Sequence, residues 1–366
     1  MAGSGKKIVS HSKIYLAGNI LQRCVSFVML PIYTRFLTPS DYGTLELLSM
    51  VLDFVGIILG LRIGQAIFRY YAEYENKKDR SEVISTALWL VAALNLLGIL
   101  LIYLAANPLA TIVFGNTEHV RNLLLFSLTL LMQGFIEIPL AYIRAQQRPG
   151  LFVSFSIAKL ILQLGLNIYF VVYMKLHVEG VIYSAIISSF LMGSMLGFYV
   201  LKDCGLCFSI KKARQLISFS LPLMATGIIA FYITFGDRYF LRVYGGGLTE
   251  VGVYSLGYKF GFLLMFLVVS PFSSIWDSEK YNIAKEENAK ESFQNIFIIY
   301  STVVILACMV ISLYAKDLLR VMSAPEFWGA AKIVPVVLGG YFANALLQYV
   351  NFGILLRNKT IEITYG

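Results

Sequence analysis

The chain is 366 residues long, 58% hydrophobic and only 14% charged, with a formal net charge of +9. Soluble domains average about a quarter charged residues, and the charges here are clustered, leaving long stretches almost free of them. A single soluble core has no need of that segregation, whereas a bilayer core, which offers no water to charged or backbone groups, imposes it.

The segment from Met1 to Lys13 is polar and basic, and no small-residue cleavage site follows the first apolar run, so no cleaved signal peptide is expected. A transmembrane helix needs about 20 mostly apolar residues. That rule predicts ten spans, at 14–34, 45–67, 83–106, 120–143, 151–174, 178–201, 215–235, 251–275, 292–314 and 333–356. Pro139, Pro222, Pro271 and Pro335 fall within these runs and predict kinks. The charge-dense segments 69–82 and 276–291 read as a solvated face that could form short helices. Tyr33, Tyr103 and Tyr173, near span ends, read as interface anchors.

Lysine and arginine concentrate on alternate connections, in groups such as Lys77, Lys78 and Arg80, Lys211, Lys212 and Arg214, and Lys280, Lys285 and Lys290. The positive-inside rule then places the N-terminus in the cytoplasm. The same bias accounts for most of the net charge, so nucleic acid need not be invoked.

An internal repeat is visible at a shift of roughly 210 residues. Arg35 to Gly43 after the first span matches Arg242 to Gly252 after the seventh, and Tyr142-Ile143-Arg144 matches Leu355-Leu356-Arg357. An even number of spans per repeat makes it the parallel type, whose halves usually enclose a site at their interface. The expected fold is an all-α polytopic membrane protein with a six-helix lobe at 1–201 and a second lobe at 202–366. Four spans of that second lobe are present. The chain stops where the partner of the fifth span should begin, which predicts at least two further spans, twelve or more in all.

Pro31 to Gly43, followed by Leu59-Gly60-Leu61-Arg62 and Ala66-Ile67-Phe68-Arg69-Tyr70, resembles the polysaccharide-transporter family, which includes the O-antigen and capsule-unit flippases. That family belongs to a superfamily shared with lipid II flippases and MATE drug exporters. The resemblance implies a two-lobed bundle with a central cavity. It also implies alternating-access transfer of undecaprenyl-pyrophosphate-linked oligosaccharides from the cytoplasmic to the periplasmic leaflet of the bacterial inner membrane, for surface polysaccharides such as lipopolysaccharide O-antigen.

Four cations, Arg23, Arg62, Lys159 and Lys259, lie within apolar spans. Each facing lipid at a helix centre would cost roughly 2.5–3.5 kcal/mol, so water, a partner or a ligand is expected for them. Arg23 shares a helical stripe with Asn19, Gln22 and Ser26, and Lys159 shares one with Ser156, Gln163 and Asn167. A cationic, hydrated cavity with an anionic ligand such as a pyrophosphate follows, Arg23 being the leading contact because arginine forks two donors onto phosphate oxygens. Asp53 and Glu137 are membrane carboxylates, read either as coupling sites for a proton or sodium or as fixed counter-ions.

No catalytic constellation is present: His11, His119 and His177 are far apart in sequence, and no serine has a recognisable base partner. Cys204 and Cys207 form a C-x-x-C with no further ligands nearby, so neither metal nor cofactor is expected. A glycosyl polymerase or ligase usually carries a large periplasmic loop, and the outward loops here are short. A MATE-like cation exporter favours an acidic cavity. Membrane lipids and a lipid-linked oligosaccharide remain the expected partners. Reporter fusions after Arg80, Arg148, Arg214 and Lys290 should read cytoplasm and those near Asp41, Asn116 and Gly246 periplasm; reversal at most sites would overturn the orientation.

Overall fold

A computed structural model describes residues 29–60 and 62–356 of the chain. The described residues form helices joined by short turns, with no strand among them. After a helical segment α1 (29–36) come α2 (Pro39–Gly60), α3 (Ile63–Glu73), α4 (Lys77–Leu104), a short α5 (Ala106–Phe114) and α6 (Val120–Ala145). α7 (Pro149–Asn167) continues into a π-helical segment, Ile168–Tyr173, and is followed by α8 (His177–Cys204) and α9 (Ile210–Tyr244). α10 (Leu248–Leu264), a π-helical segment at Met265–Val269, α11 (Ser270–Ile283), α12 (Ala289–Met322), a 3-10 segment at Pro325–Lys332 and α13 (Val334–Leu356) complete the chain.

Among the described residues eight helices are long and apolar enough to cross a membrane, or nine if the bent pair Pro325–Lys332 and Val334–Phe352 is one span. These fall on the second to tenth expected spans; the first, 14–34, lies largely outside the described residues. The outward side chains of α12 are apolar and exposed, among them Ile299, Leu306, Val310 and Leu313. Such a surface suits lipid and not water. The chain is a multi-pass, all-helical membrane protein.

The prolines divide into two kinds. Pro139 and Pro222 sit inside α6 and α9, while Pro271 and Pro335 stand in the first turns of α11 and α13. For Pro335 the missing N–H falls in a true first turn and has no helical acceptor to lose, whereas Pro271 follows the π-helical segment within the continuous span Leu248–Asp277 and so lies inside a helix as Pro139 and Pro222 do. The segments 69–82 and 276–291 run from the ends of the short helices α3 and α11, through turns at 74–76 and 284–288, into the first turns of the long helices α4 and α12. Tyr103 and Tyr173 are exposed, as interface anchors would be, whereas the Tyr33 hydroxyl accepts a hydrogen bond from Asn167.

The chain divides into two compact units at Gly252–Val253. In the first, α6 and α8 pack closely because Gly193 and Gly197 of α8 admit Met132 and Phe135 of α6. One apolar cluster gathers Leu47, Leu48, Leu52, Leu123 and Leu130; a second gathers Ile63, Ile67, Ile84, Leu88 and Ile138. Ser85 accepts from the Cys207 N–H and donates to the Gly205 carbonyl, and Thr86 accepts from the Ser209 N–H, fixing the α8–α9 turn.

The order of elements runs parallel in two parts of the chain: α2, α3, α4, α5 and α6 in one, and α10, α11, α12, the 3-10 segment and α13 in the other, with a short segment before the last helix in each. The repeat-related glycines Gly43 and Gly252 meet: a Cβ on Gly43 would strike the Leu248 carbonyl, and one on Gly252 the Pro39 carbonyl. Both obstacles are backbone, which cannot rotate away. Gly43→Ala should therefore lower stability by about 1–3 kcal/mol, the usual range for overpacking, while Gly150→Ala, with open space around it, should be neutral or stabilising. Thermal unfolding in detergent checks the contrast; equal midpoints would refute the contact.

Candidate functional site

The two larger apolar clusters of the first unit leave a gap between them. Along α2 and α3 they stop at Leu52 and resume at Ile63; along α6 they stop at Leu130 and resume at Ile138, and a small third cluster joins Ile136 and Ile143 of α6 to Leu196 of α8. In that interval stand Asp53, Gly56, Gly60 and Arg62 on one side, and Gln133, Gly134 and Glu137 on the other. Two cavities occupy this region. One, of about 400 Å3, is walled by Asp53, Arg62, Gln65, Gln133, Glu137 and Arg144 among others. The other, of about 420 Å3, is walled by Glu137, Arg144, Ser156, Lys159 and Gln163 together with Phe152 and Phe155. Glu137 and Arg144 line both.

Small residues make the room. A Cβ on Gly56 would lie 3.2 Å from Gln133 Nε2, and one on Gly64 would lie 2.9 Å from Glu137 Oε1. The amide and the carboxylate of α6 thus enter where α2 and α3 lack side chains. Arg62 stands in the break between those helices with φ 52° and ψ 33°, a left-handed conformation rare for a residue with a Cβ. Its guanidinium lies against Gly227 of α9, where a Cβ would come within 2.8 Å of Nε. The break carries the arginine out of the regular helix and into the cavity wall.

Lys159 sits roughly 15 Å along α7 at 1.5 Å per residue, well inside a span that runs from Pro149 to Tyr173. Its neighbours at helical spacing, Ser156 and Gln163, line the same cavity. Arg144, in the last turn of α6, lies over the rings of Phe68 and Phe152, with Cζ 5.2 and 5.3 Å from their centroids. These are cation–π contacts that hold a guanidinium without neutralising it. Asp53, Glu137 and Arg144 are exposed, and Arg62 and Lys159 are half-buried. Among the described residues none of these five makes an ion pair within 4.0 Å. The cavities therefore carry three cations and two carboxylates.

The expected site residues separate on the structure. Arg62, Lys159, Gln163, Asp53 and Glu137 come together. Asn167, last on the Lys159 stripe, is buried at the end of α7, donates to the Tyr33 hydroxyl at 2.8 Å and lines neither cavity. Lys259 is half-buried on α10 in the second unit, and neither cavity wall includes it. Arg23, Asn19, Gln22 and Ser26 lie outside the described residues. Sequence reasoning missed Arg144 and Gln133 as site residues. Arg144 was counted with a connection because the apolar run ends at Ile143; that α6 continues to Ala145 was signalled only by its helical spacing from Glu137. Among the described residues no cluster of three or more His, Cys, Asp or Glu is arranged to hold a metal ion.

The fold is shared with solved MATE transporters. One is an inward-facing multidrug resistance MATE family transporter of the MOP superfamily, with 17% identity, TM-score 0.63, and 90% of this chain covering 81% of that one. Another is a MATE transporter in the straight conformation, with 17% identity, TM-score 0.60, and coverage of 94% and 82%. The bent form of a Vibrio cholerae MATE transporter is similar at 16% identity and TM-score 0.51, with coverage of 96% and 84%. A Haemophilus influenzae protein described as an uncharacterized membrane protein is 28% identical over 102 residues, which is 28% of this chain and only 25% of that protein. Residues 32–332 match the polysaccharide biosynthesis protein family, a stretch that includes every described residue of both cavities, and the chain belongs to that family.

Proposed function

We propose that the protein is a flippase for lipid-linked oligosaccharides, moving an undecaprenyl-pyrophosphate-linked unit between leaflets of the bacterial inner membrane by alternating access. The observation that carries this reading is the pair of adjoining cavities in which Arg62, Arg144 and Lys159, on membrane-crossing helices, make no ion pair among the described residues. Membership of the polysaccharide biosynthesis family supports a saccharide cargo. A pyrophosphate supplies the negative charge these three cations lack, and arginine and lysine serve it differently, as a planar fork and as a point charge. Arg23, by its stripe, joins them as a fourth contact, and Lys259 serves the second unit. The basic connections put the N-terminus in the cytoplasm.

Glu137, shared by both cavities, is the natural coupling group. Arg144 and Arg62 are the cations that act on it. Ionised, it offsets them; on taking a proton it leaves them free for an anionic headgroup. Proton binding and substrate binding thus reinforce one another at one carboxylate. A second reading, a MATE-like exporter of organic cations, is favoured by the shared fold and by the presence of Asp53 and Glu137.

Translocation of a lipid-linked oligosaccharide in vesicles, measured beside protein level, separates these readings. Lys159→Ala and Arg144→Ala should each slow flux about tenfold or more, the loss of a charge-assisted contact of about 1.5–3 kcal/mol, at normal protein levels. Unchanged flux in both, or loss explained by loss of protein, refutes the headgroup role. Glu137→Gln should keep flux but remove its dependence on a proton gradient. Efflux of an organic cation that fails in Glu137→Gln, with no lipid translocation by the wild type, selects the exporter.

A further inference from the structure

The second unit holds a cavity of its own, of about 220 Å3, between α11, α12 and α13. Its walls are aromatic and uncharged in balance. Phe272 of α11 stacks on Tyr300 of α12 with centroids 3.8 Å apart and planes 15° from parallel. Trp276 stacks on Tyr349 of α13 at 4.4 Å and 22°. The Tyr349 hydroxyl donates to the Phe293 carbonyl at 2.7 Å, which fixes that ring. Between the rings are polar side chains with both donors and acceptors, Gln348 and Asn351, with Gln348 oriented by Asn344 at 2.9 Å.

Two features distinguish this from ordinary aromatic packing. A close-packed core leaves few voids larger than a water molecule, yet here a cavity stands among stacked rings. And Trp276, only 6% exposed, has an indole Nε1–H that meets no acceptor among the described residues. A buried donor left unmet is costly, and indole N–H groups usually find a partner when buried.

We propose that this cavity binds one pyranose ring of the saccharide headgroup, an inference that rests on the flippase reading above. A pyranose has an apolar face of C–H bonds that suits an aromatic wall and a rim of hydroxyls that suits amides. An organic cation fits less well, because the carboxylate of Asp277 is already bonded to the Lys280 ammonium, leaving no uncompensated negative charge. At the shift of roughly 210 residues seen in the sequence, Phe272 falls at the position of Arg62.

The chain has three tryptophans, so replacing Trp89 and Trp328 with phenylalanine leaves Trp276 as the sole emitter. The full chain in detergent is titrated with neutral methyl glycosides of hexoses and N-acetylhexosamines, and with tetraethylammonium. A saturable change in Trp276 emission with a pyranoside is expected, weakened about tenfold in Asn351→Ala or, should that variant fold poorly, in Gln348→Ala, the loss expected for a hydrogen bond of about 1.4 kcal/mol. No saturable response to any pyranoside, a response undiminished in the variants, or a response to tetraethylammonium alone would overturn the assignment. Wild-type lipid-linked oligosaccharide flux is measured in parallel. Flux without pyranoside binding removes this inference and leaves the flippase reading; pyranoside binding without flux does the reverse.

Discussion

A charge inside an apolar helix must meet water, a partner or a ligand, because against lipid each would cost roughly 2.5–3.5 kcal/mol at the helix centre. The first unit is arranged around that constraint. Its apolar packing forms two large clusters and a small third one, and Asp53, Arg62 and Glu137 occupy the interval between the large two. Glycines at positions 56 and 64 take the volume that side chains would fill, so that Gln133 and Glu137 can enter. Arg62 is released from the helical ladder by a left-handed residue at the break between α2 and α3. Elsewhere hydroxyls are returned to the helix itself: Thr34 donates to the Leu30 carbonyl and Ser184 to that of Gly180. A polar side chain that bonds its own helix needs no cavity. Asp53, Arg62, Glu137 and Lys159 have no such bond among the described residues and are gathered at the gap.

The parts of this arrangement legible in the sequence are those governed by local period. Ser156, Lys159 and Gln163 share a helical stripe and one cavity wall, because α7 stays regular across them. Asn167 is where the regular helix gives way to the π-helical Ile168–Tyr173, and its amide turns to Tyr33. The family resemblance rested on residues around the end of the first span and along the second, and the family match from residue 32 onward bears it out. What could not be read was long-range or sub-threshold. α5 has nine residues, too few for a span rule built on about 20. The break at Arg62 has no proline to announce it. The meeting of the Arg62 break with Glu137 depends on α3 packing against α6, which no single-helix periodicity reports.

The regions paired by the proposed repeat differ in chemistry. In the first unit a left-handed arginine breaks the long helix, whereas in the second α10 runs through a π-helical turn and Pro271 into α11 without leaving the right-handed helical region. A π-turn inserts an extra residue into the helical ladder and shifts every later side chain around the axis. On α11 the side chains so placed are Phe272 and Trp276; on α3 the corresponding region offers Arg62 and Gln65. A duplicated scaffold can diverge this way because a cavity at a helix break costs little extra once the break exists. What fills its walls is then free to specialise.

That specialisation suits a cargo with two unlike ends. A lipid-linked saccharide joins a densely charged diphosphate to a neutral, hydroxylated headgroup, and no single wall chemistry satisfies both. Cations strong enough to hold the diphosphate would leave sugar C–H faces against charged, hydrated side chains, whereas aromatic walls would strand the phosphate charge. In the flippase reading proposed above, the two cavities take one task each. A transporter must also release what it binds, and in that reading Glu137, which lines both cavities of the first unit together with Arg144, is the carboxylate that would compete for the cations once it loses its proton.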